Sequence, residues 1–226
     1  MALPIFLDWN WPAADSAFQR ALARSPSYAV AHKWYSDVLH VYGRDAEAER
    51  EALRARELDP LSAANLSNVA GLALRRGDTS AFLRVIEQAL ALDPTQPHAL
   101  RQMTSLAFDR GDSARFFAAQ KNFVGSSVLA GLPAEDLRRA WQRGGRDAVV
   151  RAQIAAFDSL ELPFEAARWR MKGGDLDGMF RDLDHAFEAH AIWLPVVKWY
   201  ITSPAATHDP RFKALLARLN IAEDNP

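Results

Sequence analysis

Apolar residues recur along this chain at the spacing of a helix. Trp34, Tyr35, Val38, Leu39 and Tyr42 fall at i, i+1, i+4, i+5 and i+8, a stripe down one side. Gly43 follows, where a left-handed residue costs least, and closes that helix. A second helix is predicted over 45–58. It stops at Asp59-Pro60, because proline cannot continue a helix and biases its predecessor away from one. The alternation returns as Leu66, Val69, Ala70 and Ala73 before Gly77, then Phe82, Val85, Ile86, Ala89 and Leu90. It returns again as Leu100, Met103 and Ala107 before Gly111, then Phe116, Ala119 and Phe123.

These elements keep one period. Pro26, Pro60 and Pro94 are 34 residues apart, as are Gly43, Gly77 and Gly111, and Ala21, Ala55 and Ala89. Three position types sharing a period define a repeat, each unit of it a pair of helices. Small residues at Ala21, Ala55 and Ala89 let paired helices approach closely; Phe123 breaks that series, and no Asp-Pro stop follows it. Gly125-Ser126-Ser127 and Gly131-Leu132-Pro133 form a longer break instead. A degenerate pair is expected over 134–143 and 146–160, turning at Gly144-Gly145. Another follows Pro163, with its turn at Gly173-Gly174-Asp175. A tail with Trp193, Trp199 and Tyr200 then leads to a short helix over 210–219. At the other end, Ala14, Phe18 and Ala21 sit where a second helix belongs, with no first helix before them: a cap, or the remainder of a longer chain. The organisation expected is therefore regular repeats over 1–124, starting with a half repeat. Degenerate pairs over 125–226 continue them, and their aromatic tail caps the open end or serves a partner.

The spacing, with Ala-x-x-x-Phe at Ala14 to Phe18 and a degraded counterpart at Ala48 to Ala52, resembles the tetratricopeptide family. Phe82 and Phe116 depart from it, standing where the family has a small residue. The Trp-x-x-Leu-Gly pattern of the family's first helix is poorly kept. A narrower resemblance covers nearly the whole chain. Asp8-Trp9-Asn10-Trp11, Ala31-His32-Lys33-Trp34-Tyr35, Leu58-Asp59-Pro60-Leu61-Ser62, Gly144-Gly145 and Asp209-Pro210-Arg211-Phe212 with Leu215-Leu216-Ala217-Arg218 look like landmarks of one bacterial group. That group is the C-terminal repeat region of signalling proteins with an N-terminal winged-helix, cyclase or kinase domain. The resemblance implies an all-α solenoid of antiparallel helix pairs in a right-handed superhelix, and a regulatory or sensory context.

Composition narrows the function. A net charge of −1 and a pI near 6.6 lack the basic excess with which nucleic-acid binders release counterions from phosphate. The absence of cysteine excludes thiol catalysis, disulfides and Cys-type zinc sites. Residues 1–7 are apolar, but they lack a basic start and meet Asp8 too soon for a signal peptide. No stretch approaches the roughly 18 apolar residues that span a bilayer. A cytoplasmic protein is expected, or a periplasmic one if a membrane segment lies upstream.

The candidates for chemistry are few. His185 and His190 lie about 140° apart around a helix, and His32 and His40 are two turns apart, so neither pair has metal-ligand spacing. In Gly173-Gly174-Asp175-Leu176-Asp177-Gly178 glycine arrives too early for a calcium loop, and no strand precedes it as a phosphate cradle requires. Gly125-Ser126-Ser127 lacks the spacing of a nucleophile elbow. The run from Arg44 to Glu57, with Glu47 to Arg50 and Glu51 to Arg54 at i, i+3, reads as a solvated face. No catalytic residue, metal or cofactor is expected.

The first helix of each pair is the one that lines the concave side in tetratricopeptide stacks. Carrying that register onto this chain places Lys33, Trp34, Asp37 and His40 there, then Ser67, Asn68, Gly71 and Arg75, then His98, Arg101, Gln102, Ser105 and Phe108. Cations, amides and aromatics in this mixture suit a protein or an extended peptide segment. Lys33 and Asn68 match the family's clamp for acidic C-termini; Asp37, His98 and Gln102 do not. The competing readings are a helical-repeat enzyme or a small-ligand sensor with its site in the same groove. A nucleic-acid-binding array would want that groove basic.

Overall fold

The computed structural model describes residues 8–124 and 130–221, so the apolar start and the Gly125-Ser126-Ser127 break lie outside the described residues. Among the described residues there is no strand. In chain order the helices are α1 (Trp11–Arg24), α2 (Ala29–Val41), α3 (Asp45–Leu58), α4 (Ala63–Arg75), α5 (Thr79–Leu92), α6 (Pro97–Asp109), α7 (Ser113–Val124), α8 (Ala134–Ser159), α9 (Pro163–Gly173), α10 (Leu176–Glu188), α11 (Val197–Tyr200), α12 (Pro204–Thr207) and α13 (Pro210–Arg218). They form two compact units. The first holds α1 to α5 with α13, the second α6 to α12.

Pairs are the building block in both. α2 packs on α3, α4 on α5, α6 on α7 and α9 on α10. The turns inside these pairs share one construction. At Gly43, Gly77 and Gly111 the backbone is left-handed, with φ of 77°, 76° and 71°, and the next N–H reaches back to the last turn of the helix. Asp78 N donates to Ala73 O at 3.0 Å, and Asp112 N to Ala107 O at 2.9 Å. The aspartate then starts the second helix: Asp78 Oδ1 accepts from Ala81 N at 2.9 Å, and Asp112 Oδ1 from Arg115 N at 3.0 Å. Gly174 and Asp175 repeat the device before α10.

In the first unit Ala48, Ala52 and Ala55 are fully covered, so α3 lies close against α2, and Ala89 is equally covered on α5. Ala21 is only half-buried. Phe82, the large residue in a small position, is accommodated with no exposure. The half repeat is anchored by Trp11, whose indole Nε1 donates to Leu219 O at 2.7 Å and so ties α1 to the end of α13.

The second unit is built on an aromatic core. Phe108 lies 4.9 Å from Trp169 and 5.3 Å from Phe116, ring centre to ring centre, and Phe117 lies 5.9 Å from Trp141. Helix α8 breaks at Gly144 and Gly145, where φ is 60° at the second glycine. Leu132 N donates to Gln153 Oε1 at 3.0 Å, which brings the start of the first limb beside the second; the limbs 134–143 and 146–159 double back on one another.

Ala89→Arg should cost about 3–5 kcal/mol, because a charge would enter a site with no room and no partner. Urea denaturation measures it; an unchanged midpoint would mean that α5 is not packed as described.

Candidate functional site

The first-helix face of the first unit is organised around a carboxylate of its own. Asp37 is buried, and its Oδ1 accepts from Asn68 Nδ2 at 2.7 Å, across from α2 to α4. Its Oδ2 accepts from Lys33 Nζ at 2.7 Å. The two groups that match an acidic-terminus clamp, Lys33 and Asn68, are thus joined by an internal carboxylate. Lys33 Nζ also stands 3.7 Å above the half-buried Trp34 ring. His40 is buried against Asp45, and Arg75 is exposed at the end of α4. Ser67 and Gly71 are covered; Ser67 Oγ donates to Ala63 O at 2.6 Å within α4. Of the groove expected here, Arg75 is exposed and Lys33 and Trp34 are half-buried, whereas Asp37, His40 and Asn68 face protein.

In the second unit the first-helix face is covered by the unit's own tail. Arg101, expected to line an open groove, is 4% exposed. Its Nη2 lies 3.1 Å from Glu165 Oε1, and Glu165 also pairs with Arg168, one turn along α9. Two buried guanidiniums therefore share one buried carboxylate. The tail closes over them. Tyr200 lies 5.2 Å from the Arg101 guanidinium and 4.5 Å from that of Arg168, and Trp193 lies 5.1 Å from Arg101. The Trp199 ring stacks on His98 at 6.3 Å, and Gln102 Nε2 lies 2.9 Å from His98 Nε2. Burial pushes the Arg101 guanidinium down, but Glu165 and Tyr200 outweigh it and hold the group above its ordinary value. Arg101 Nη1 and Gln102 Oε1 are buried with no hydrogen-bond partner, and Glu165 Oε1 has only its ion pair with Arg101 Nη2.

Beyond this triad, Lys172 Nζ crosses from α9 to α6, donating to Ser105 Oγ at 3.0 Å and Asp109 Oδ1 at 2.6 Å. Phe108, expected on the open face, belongs to the aromatic core. The residues that sequence reasoning missed are Glu165, Arg168 and Lys172. They lie in the pair after Pro163, whose spacing announced helices and nothing more. Trp193 and Tyr200 stood out as an aromatic tail, but nothing local said what they cover.

Other polar clusters are structural in form. Arg170 joins three elements, with Nε donating to Asp182 Oδ2 at 2.6 Å and Nη2 to Asp158 Oδ2 at 2.9 Å. It lines an open recess of about 490 Å³ with Asp147, Arg151, Asp158 and Asp175. On α3 the expected Glu47–Arg50 pair is present at 3.7 Å. Glu51 instead bonds His32 at 2.5 Å, and Arg54 turns to Glu57 at 3.0 Å. The anticipated Glu51–Arg54 pair is replaced because the buried His32 ring needs the carboxylate more than an exposed arginine does. Among the described residues no group of three or more His, Asp or Glu could hold a metal, and no helix is long and apolar enough to cross a membrane.

No family model matches the chain, and no curated protein matches it. Solved structures do match. One, titled "Structure of Naa15/Naa10 bound to HypK-THB", is 15% identical with a TM-score of 0.48, and covers 96% of this chain. The match spans 45% of that chain, so this chain covers less than half of its length.

Two outcomes follow from the buried charges. Glu165→Gln should cost about 3–5 kcal/mol, since it leaves two buried guanidiniums without a carboxylate. Arg101→Met leaves Arg168 and Glu165 as a neutral pair and should cost less. Chemical denaturation of the two variants checks the order, and equal losses would contradict the shared triad. The second outcome concerns pH. Burial, above all, lowers the Lys172 ammonium below its ordinary 10.5, with Asp109 opposing and Arg168 and Arg146 adding to it. Between the lowered native value and 10.5 the unfolded chain binds more protons than the folded one, so this group's contribution to stability rises with pH. Wild type measured against Lys172→Met should gain stability on going up through that window. A gap that does not change with pH would show that the ammonium is not buried.

Proposed function

We propose that the chain is a non-catalytic scaffold that binds a protein or an extended peptide segment along its first-helix faces. It would serve as the regulatory or sensory repeat region of a bacterial signalling or transcription-regulating protein. The observation that carries the binding reading is the Lys33–Trp34 pair. An ammonium sits 3.7 Å over a half-buried indole and is fixed by Asp37, which Asn68 of the next first helix fixes in turn. Aromatic and cationic groups locked on rigid helices are what interfaces use as anchors. Exposed apolar residues nearby, Val30 at 50% and Tyr28 at 54%, extend that surface. The signalling context rests on the landmark segments that begin at Asp8-Trp9-Asn10-Trp11.

Selection of displayed peptides against the intact chain tests the reading. A selected peptide should bind Trp34→Ala and Arg75→Ala about 1–3 kcal/mol more weakly than wild type, and Arg54→Ala, on the exposed side of α3, as wild type does. Peptides whose binding ignores Trp34→Ala and Arg75→Ala would refute the first-helix face of the first unit as the working surface.

A further inference from the structure

We propose that the tail over 193–200 is a displaceable occupant of the first-helix face of its own unit, and that an acidic, aromatic-bearing peptide segment takes its place. The proposal deepens the peptide-binding reading above and rests on it only for the class of ligand.

Three observations within the second unit carry it. Arg101 and Arg168 are 4% and 6% exposed and share the single carboxylate of Glu165, so the buried cluster carries one uncompensated positive charge. The tail answers that charge with the rings of Trp193 and Tyr200 and with a Tyr200 hydrogen bond to Arg101, which attract the cation without neutralising it. Polar atoms under the tail lack hydrogen bonds: Arg101 Nη1 wants an acceptor, and Gln102 Oε1 wants a donor. A permanent cover selected for stability would satisfy these atoms, since each one left bare costs free energy. A peptide carboxylate would bond Arg101 Nη1 and cancel the excess charge, a backbone N–H beside it could serve Gln102 Oε1, and its aromatic residues would replace the rings lost with the tail. The tail has little regular structure, a short 3-10 turn, Leu194–Val196, and four residues of helix, so few backbone hydrogen bonds hold it; what opening must overcome is the burial of Leu194, Val196, Val197 and Ile201.

The test uses the full chain and a labelled peptide, Glu-Asp-Trp-Glu-Glu-Tyr-Asp, beside its counterpart with every acid replaced by the amide. Wild type should bind the acidic form at least about tenfold more tightly, and Arg101→Met should lose that preference. Amide exchange over 197–201 should quicken by about tenfold or more when the acidic peptide saturates the chain. Tyr200→Ala, which loosens the tail, should tighten binding. If that variant does not fold, exchange in wild type decides alone. Failure of the acidic peptide to bind wild type, or binding with the exchange over 197–201 unchanged or slowed, overturns the proposal. The two readings fail separately. Acidic-peptide binding that survives Trp34→Ala but not Arg101→Met leaves this one standing, and the converse pattern removes it.

Discussion

Close packing of each helix pair is the constraint from which the rest follows. Ala48, Ala52, Ala55 and Ala89 have no exposed surface, and a left-handed glycine turns the chain back within three residues. Helices held so near to one another bury much of the first-helix face as well as the apolar stripe. Polar side chains on that face then cannot rely on water, and an unpaired one costs about 1–3 kcal/mol. Asp37 against Lys33 and Asn68, and Glu165 against Arg101 and Arg168, are the consequences. Each unit brings its own carboxylate to cations that an outside acid would otherwise reach.

The two faces meet this demand to different degrees. In the first unit the account closes: Asp37 has a cation on one oxygen and an amide on the other, and the ammonium has the Trp34 ring besides. What remains partly exposed is the Lys33–Trp34 pair, held in a fixed shape. In the second unit two guanidiniums face one carboxylate, and the aromatic tail covers the difference without removing it. Buried ion clusters contribute little to stability compared with apolar packing of the same volume, so stability alone does not account for a cluster with an unbalanced charge.

The parts of this structure that the sequence made legible are the local ones. The 34-residue period, the glycine turns and the bounds of α3 depend on residues within a turn or two of each other, and the pattern of apolar positions reports them directly. The break of α8 at Gly144 and Gly145 was legible for the same reason. Which face stays open was not. Carrying the family's register across placed Arg101 in an open groove, but its environment is decided by Glu165, 64 residues later, and by Tyr200, 99 residues later. Glu51 likewise looked ready for Arg54 until His32, from the preceding helix, claimed it. Periodicity says which side of a helix is apolar; it is silent on which distant polar group will meet a given cation.

Native-state hydrogen exchange of the unliganded chain probes the central claim, that the tail, although Leu194, Val196, Val197 and Ile201 are buried, opens separately from the helices it covers. The account predicts that amides over 197–201 exchange through a local opening, insensitive to low denaturant and well below the free energy at which α6 and α9 open. Exchange of those amides only through the same global unfolding that exposes α6 and α9 would contradict it, and would make the tail a fixed wall of the fold.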